Sequence, residues 1–448
     1  MEFVIKIAQF LLSLSLLIVL HEMGHFIPAK FFKTRVEKFY LFFDIKYSLF
    51  KKKIGGTVYG IGWLPLGGYV KIAGMSDESM DKEQMAQPPQ PWEFRSKPTW
   101  QRLIIMMGGV TVNFILAYVI YVFVSFSYGD SDTTVASLKG GYWIENPLLK
   151  ELGFKTGDKI LSINEHPIIN TSDIGTHLIN AKSVVVEREG VEKQITLPED
   201  FLGQLSSSAS KRRGLFERRI PFMIGAVADS SLNKSKGLKK GDVIKSINGK
   251  PLVFFDQLEE VTKGLKDSTV PVEILRGKEV MTKDLQLDTT GKFGIMAAYD
   301  DDRFAELGYY DITTKEYTFG ESFGAGWDKF TKTVSSYGDQ LKAIFTPSTG
   351  AYKGVGGFKA IFDIFPSVWS WEAFWILTAF LSIMLGVLNL LPIPALDGGH
   401  VMFLLYEMVS GRKPTEKFLE HAQMVGFFIL IALVLFANGN DIFKAIFH

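Results

Sequence analysis

None of the 448 residues is cysteine, so the chain can hold neither a disulfide framework nor a thiolate metal site. Any bound transition metal must take histidine and carboxylate ligands. Histidine is itself scarce: of seven, only His21 and His25 stand at ligand spacing. Net charge is almost lacking too, at +1, which gives no reason to expect nucleic acid or an acidic substrate as partner. Charge is also missing locally. Residues 7–20 carry none, nor do 103–126, 374–391 and 422–437. What is plentiful is apolar content, 47% hydrophobic and 13% aromatic, in a chain long enough for two to four domains.

A bilayer's hydrocarbon core is about 30 Å thick, and the uncharged runs are long enough to enter it. They predict four membrane spans, at residues 3–26, 103–126, 374–391 and 422–437, the last short enough to be tilted or shielded by its neighbours. The first begins like a signal peptide, with Lys6 ahead of an apolar stretch. No small-residue cleavage site follows Leu20, so it reads as an uncleaved span. Lysine and arginine set the orientation. They crowd the connection between the first two spans, from Lys30 to Arg102, and Arg412, Lys413 and Lys417 precede the fourth; the other side has Lys6 and Lys444. The positive-inside rule puts the first group in the cytoplasm, and both termini and the long insert between spans two and three outside.

His21-Glu22-Met23-Gly24-His25 closes the first span. Histidines four apart on a helix project from one face, so both rings can reach one ion, and Glu22 beside them can serve as base for a metal-activated water. At membrane depth ionisable side chains are costly and default to a functional reading. Snorkelling of the three into headgroups would explain neither the spacing nor what ends the third span. There, Asn389-Leu390-Leu391-Pro392-Ile393-Pro394-Ala395-Leu396-Asp397-Gly398-Gly399-His400 sets two prolines where a helix needs donors. The helix must break and bring a carboxylate to membrane depth. Two histidines lack a third protein ligand for zinc, and Asp397 supplies it with one position left open; His400 is the rival. Asn389 either hydrogen-bonds substrate backbone or satisfies a carbonyl freed by the break.

Two further features stand out. Residues 39–43 and 60–70 are apolar, aromatic and glycine-rich, yet too short to span as helices. They read as strands or a hairpin dipping into the membrane face near the motif, or as a soluble cytoplasmic hairpin. In the insert, Gly157-Asp158-Lys159-Ile160-Leu161-Ser162-Ile163-Asn164 recurs 84 residues on as Gly241-Asp242-Val243-Ile244-Lys245-Ser246-Ile247-Asn248. That spacing allows one small domain per copy, with the polar run from Ser206 to Arg213 as linker.

The eight-residue repeat resembles the strand-turn core of PDZ domains. Together with HExxH in the first span and NxxPxPxLDG in the third, it resembles the site-2 protease family of intramembrane zinc metalloproteases, in its bacterial RseP form. The resemblance covers essentially the whole chain, and residues 62–70 are similar to that form's membrane-associated β segment. It implies Zn2+ held by His21, His25 and Asp397, Glu22 as catalytic base, and Asn389, Pro394, Gly67 and Gly68 along the substrate strand. It also implies single-span membrane proteins as substrates, among them anti-sigma factor-like regulators and remnant signal peptides, in a bacterial inner membrane. The chain departs from that family at Gly109-Val110, where the family has Gly-Pro ahead of its second-span asparagine, here Asn113.

The expectation is therefore an α-helical multi-pass membrane protein with four transmembrane helices, a membrane-associated β segment and two inserted PDZ-like α+β/β domains. Its parts are a first helix (1–32), a cytoplasmic-side loop with a β hairpin (33–102), a second helix (103–128), PDZ-like domains at 129–205 and 219–310 joined by a linker (206–218), a juxtamembrane segment (311–370), a third helix (371–411), and a short loop, fourth helix and tail (412–448). The PDZ grooves would either bind peptide at a sheet edge or gate access by bulk. Two other classes compete: a membrane peptide sensor with a structural metal, and a transporter. A structural zinc site normally has four protein ligands where three are visible, and a transporter predicts inverted repeats, which the sequence does not show.

Overall fold

A segment in hydrocarbon has to satisfy its own backbone N–H and C=O groups, and the uncharged runs do so as helices. The computed structural model describes residues 2–65, 67–75, 87–207 and 214–447. The chain divides into two units, one of Met1–Gly129, Glu316–Gly338 and Val355–His448, the other of Asp130–Lys315 and Asp339–Gly354. Among the described residues four helices are long and apolar enough to cross a membrane: Glu2–Phe31, Thr99–Tyr128, Trp371–Leu390 and Glu416–Ile442.

The first unit is built on α1 (Glu2–Phe31), α2 (Thr99–Tyr128), α3 (Phe319–Phe345), α4 (Trp371–Leu390), α5 (Asp397–Ser410) and α6 (Glu416–Phe447). Glycine brings α1 and α2 together. A Cβ on Gly24 would lie 2.4 Å from the Gly108 carbonyl oxygen, and one on Gly108 1.9 Å from that of Gly24. Small residues allow such close approach between helices that gain nothing from a hydrophobic effect in lipid. On the far side of α2, Ala117, Ile120 and Val124 pack with Ala379 and Ile383 of α4.

The third membrane segment, expected over 371–411, is two helices. α4 ends where Leu391 turns extended (ψ 143°), Ala395 takes a left-handed backbone (φ 96°), and α5 starts at Asp397. The glycines after Asp397 permit the fold-back: a Cβ on Gly398 would lie 2.3 Å from the Leu391 oxygen, and one on Gly399 2.5 Å from that of Ile393. The stretch 311–370, read only as a juxtamembrane segment, contains the 27-residue α3. Its Gly326 lies against Val122 of α2, and Lys329 donates to Ser125 Oγ at 2.9 Å.

The expected β hairpin is corrected to a four-stranded mixed sheet of β1 (Val36–Leu41), β2 (Phe43–Ile54), β3 (Thr57–Leu64) and β4 (Tyr69–Ile72), in the order β2-β3-β1-β4. β1 runs parallel to β3, while β2 and β4 are antiparallel edge strands. The basic run Lys51–Lys53 has no strand-like alternation; its conformation comes from pairing with Gly60, Tyr59 and Val58 of β3. Phe26 of α1 holds one face of the sheet, 5.5 Å from the Phe39 ring and 6.0 Å from that of Tyr59. Leu66 lies outside the described residues.

In the second unit each copy of the repeat forms a strand, Lys159–Ile163 and Val243–Ile247; Ile160 and Ile163 pack in one apolar core, which Val243 joins, and Ile244 and Ile247 in another. The recurring Gly-Asp has a structural cause. Asp158 and Asp242, both 1% exposed, accept the N–H of Lys155 and Lys239 at 2.9 Å and pair bidentately with Arg188 and Arg276. Each arginine also donates at 2.8 Å to a glycine carbonyl, Gly153 or Gly237. Of the expected linker 206–218, Ser206 and Ser207 end the helix Phe201–Ser207, residues 208–213 lie outside the described residues, and Glu217–Arg218 pair with Tyr142–Trp143.

Candidate metal centre

The helical period sets His21 and His25 on the buried face of α1, and the broken α4–α5 segment brings Asp397 to them. Asp397 Oδ2 lies 3.4 Å from His21 Nε2 and 3.3 Å from His25 Nε2, and the two Nε2 atoms are 3.4 Å apart. A tetrahedral zinc with bonds of about 2.0–2.1 Å has donor-to-donor edges of about 3.3–3.4 Å. The triangle therefore fits one face of that tetrahedron and leaves the fourth corner to a non-protein ligand. Asp397 Oδ2 is buried without a hydrogen-bond partner. Such an oxygen is costly unless it meets a cation. Among the described residues this is the group of histidine and carboxylate donors able to converge on a metal.

Neighbouring groups aim the rings. His25 Nδ1 donates to the Ile105 carbonyl at 2.9 Å, which turns Nε2 inward as an acceptor. The side-chain amide of Asn113 lies 3.1 Å from His21 Nδ1. A ligating His21 carries its proton on Nδ1, and Asn113 Oδ1, otherwise buried without a partner, is the atom that accepts it once the amide is turned accordingly. The Ser382 hydroxyl donates to the Asn113 carbonyl at 2.7 Å and so ties this α2 residue to α4. Gly109 leaves the rings their space: a Cβ there would lie 2.4 Å from His25 Nε2 and 2.6 Å from His21 Cε1.

Glu22, His21, His25 and Asp397 line a cavity of about 390 Å³, whose opposite wall is Gly68, Tyr69, Val70 and Ile72. Gly68 is pressed between α1 and the sheet, where a Cβ would lie 2.5 Å from Ile18 Cγ2 and 2.6 Å from the Tyr40 oxygen. Asn389 reaches the centre, with Nδ2 3.4 Å from His21 Nε2. Three other residues singled out from sequence lie elsewhere. Gly67 is beside the Phe43 ring, outside the cavity lining. Pro394 presents its carbonyl to Gly426 of α6, and with His400 it lines a separate cavity. His400 is no part of the donor triangle.

Sequence reasoning missed Asn113 and Gly109 as site residues. A signal for Asn113 was present: it is the one carboxamide in the uncharged run 103–126, and a polar side chain at that depth asks for a reason. Gly109 entered the resemblance only as half of a departure from Gly-Pro, and nothing in its own chemistry showed that its role is to leave open the space the two imidazoles fill.

A family model described as Peptidase family M50 matches residues 9–433. Curated proteins of Neisseria meningitidis, Clostridium perfringens and Borreliella burgdorferi, each named "Putative zinc metalloprotease", are 26%, 26% and 29% identical to the chain. The alignments cover 97%, 96% and 96% of this chain, and 98%, 97% and 96% of theirs.

Proposed function

The chain belongs to peptidase family M50, and we propose from that premise that it is a zinc metalloendopeptidase cutting peptide bonds within the transmembrane segments of single-span membrane proteins. The observation that carries this is the 3.3–3.4 Å triangle of His21, His25 and Asp397 on helices apolar enough to cross a bilayer. When bound, zinc lowers the pKa of a coordinated water toward about 7 and polarises the scissile carbonyl. The protein does the rest. Glu22, on the cavity wall, takes the proton that the attacking water loses and returns it to the departing amine. Asn389 steadies the substrate backbone beside His21.

A helical substrate hides its carbonyls in hydrogen bonds to residues four positions on and must be unwound before it can be cut. β4 is an edge strand of its sheet and lines the cavity, so an unwound substrate adds there as a further strand, with Gly68 giving it close approach. In this reading the two repeats of the second unit are PDZ-like domains that admit only substrates whose outer domain has been removed. Anti-sigma factor-like regulators and remnant signal peptides are the substrate classes. The distribution of lysine and arginine supports a bacterial inner-membrane location with the second unit and both termini on the extracytoplasmic side.

The deciding experiment compares wild type with Glu22→Gln, each purified in detergent, for zinc content and for cleavage of a single-span substrate. The variant is expected to hold zinc at the wild-type level and to lose about 10²-fold or more in cleavage rate. Cleavage at the wild-type rate with zinc retained would remove Glu22 from the chemistry and the reading with it.

A further inference from the structure

The β2–β3 hairpin has two dissimilar faces. Pairing runs from Ile54↔Thr57 through Lys53↔Val58, Lys52↔Tyr59 and Lys51↔Gly60 to Phe50↔Ile61, and partners across a ladder share a face. Phe50, Ile54, Ile61 and Tyr59, with Lys52 opposite Tyr59, thus lie on one mostly apolar side, where Phe26 of α1 covers Tyr59. Farther out this apolar side is open: Phe50 is 58% exposed, Ile54 54% and Ile61 39%. The other side carries Lys51 and Lys53, next to Lys38 and Tyr40 of β1.

There a cavity of about 540 Å³ is lined by five lysines, Lys38, Lys46, Lys51, Lys52 and Lys53, and one carboxylate, Asp44. Asp44 is already engaged. It accepts from Tyr69 Oη at 2.8 Å and Ser48 Oγ at 3.3 Å, and faces Lys38 at 4.0 Å. Among the described residues no side-chain hydrogen bond or ion pair engages Lys46, Lys51, Lys52 or Lys53. Lys46 also holds a left-handed backbone (φ 69°) within an irregular stretch of β2, a conformation that residues with a Cβ adopt sparingly. Lys46, Lys51 and Lys53 beside Lys38 gather positive charge around one concavity, which an anion would offset.

We propose that this cavity binds the phosphate headgroup of anionic phospholipids. The lysines supply the charge complement, and the apolar reverse face of the same hairpin suits the boundary between headgroups and acyl chains, as a soluble anion would not require. The sheet that holds the hairpin follows the membrane helix α1 within five residues and packs on its Phe26, which places it at that boundary. The inference depends on the chain being integral to a membrane and is independent of its being a protease.

The test titrates full-length protein in neutral detergent with fluorescent phosphatidylglycerol, with phosphatidylcholine and inorganic phosphate as competitors. Binding is expected to weaken with added salt. It should also weaken by about tenfold or more when Lys46→Gln, Lys51→Gln and Lys53→Gln are combined. The same three positions changed to arginine keep the charge and should keep the binding, which separates loss of charge from misfolding. Neither phosphatidylcholine nor inorganic phosphate should compete. Undiminished phosphatidylglycerol binding by the glutamine variant would overturn the site. Inorganic phosphate competing as well as the lipid would reassign it to free anions. Glu22→Gln should bind lipid as wild type does, so failure of the protease reading and failure of this one give different results.

Discussion

Gly109 and Asn113 act on the metal without touching it, and each predicts a distinct loss. In Gly109→Ala the new methyl would stand 2.4 Å from His25 Nε2 against a helix that cannot yield. Zinc content after dialysis against a weak chelator is expected to fall below half of wild type while the α-helical circular dichroism stays unchanged. Asn113→Ala leaves space but removes the side-chain acceptor beside His21 Nδ1–H, with only backbone left to take its place. Loss of such an outer partner typically costs about 10–100-fold in metal affinity. A zinc titration with a competing chelator measures it, and Asn113→Asp, which keeps an accepting oxygen, is expected to recover part of the affinity. The residue scale is also where the sequence was most legible. His21, Glu22, His25 and Asp397 are chemically rare at membrane depth, so each had to be accounted for. Gly109 was illegible because a glycine among apolar residues looks the same whether or not an imidazole needs its place.

Elements were legible where one physical cause dominated and obscure where pairing decided. Absence of charge over some twenty residues leaves a helix as the solution in lipid, and two prolines leave a break. β2 could not be read because Lys51, Lys52 and Lys53 are strand only by virtue of the partners opposite them, and α3 because its apolar positions are spaced among polar ones. The repeat shows the reverse case, a signal whose meaning was structural: its Gly-Asp step is a buried ion pair. Burial works to raise the Asp242 carboxyl, but the Arg276 guanidinium and the Lys239 N–H outweigh it and hold it below the ordinary carboxylate value. A group depressed in this way contributes stability that is complete above its unfolded pKa of about 3.9 and is lost as pH falls through the lower folded value. Asp242→Asn should therefore cost about 2 kcal/mol at pH 7, a roughly 30-fold loss of hydrogen-exchange protection over Val243–Ile247. As pH falls below about 4 the wild type should approach the variant. A gap of the same size at pH 3 as at pH 7 would show that the carboxylate charge is not what holds this turn.

The longer of the second unit's two segments, Asp130–Lys315, enters and leaves the chain at one place. The first strand of that segment, Asp130–Thr133, pairs antiparallel with its last, Ile312–Lys315, and Asp130 stands directly opposite Lys315. Residues opposite each other in such a ladder lie about 4.5–5.5 Å apart, a gap that a two-residue turn closes. Residues 131–314 can thus be removed and Asp130 joined to Lys315 through Asn-Gly without pulling on the preceding helix, α2, while Asp339–Gly354 of the same unit stays in the chain. No side chain of the donor triangle or of its cavity comes from the removed segment. The excised protein is therefore expected to bind zinc as wild type does and to cleave a substrate already trimmed of its outer domain at a similar rate. The difference should appear with an untrimmed substrate. Wild type should discriminate against it, and the excised form should cut both alike, read as the ratio of kcat/KM values for the two substrates. If that ratio were the same in both proteins, selectivity would lie in the membrane helices and the sheet, and the two repeats would need another role.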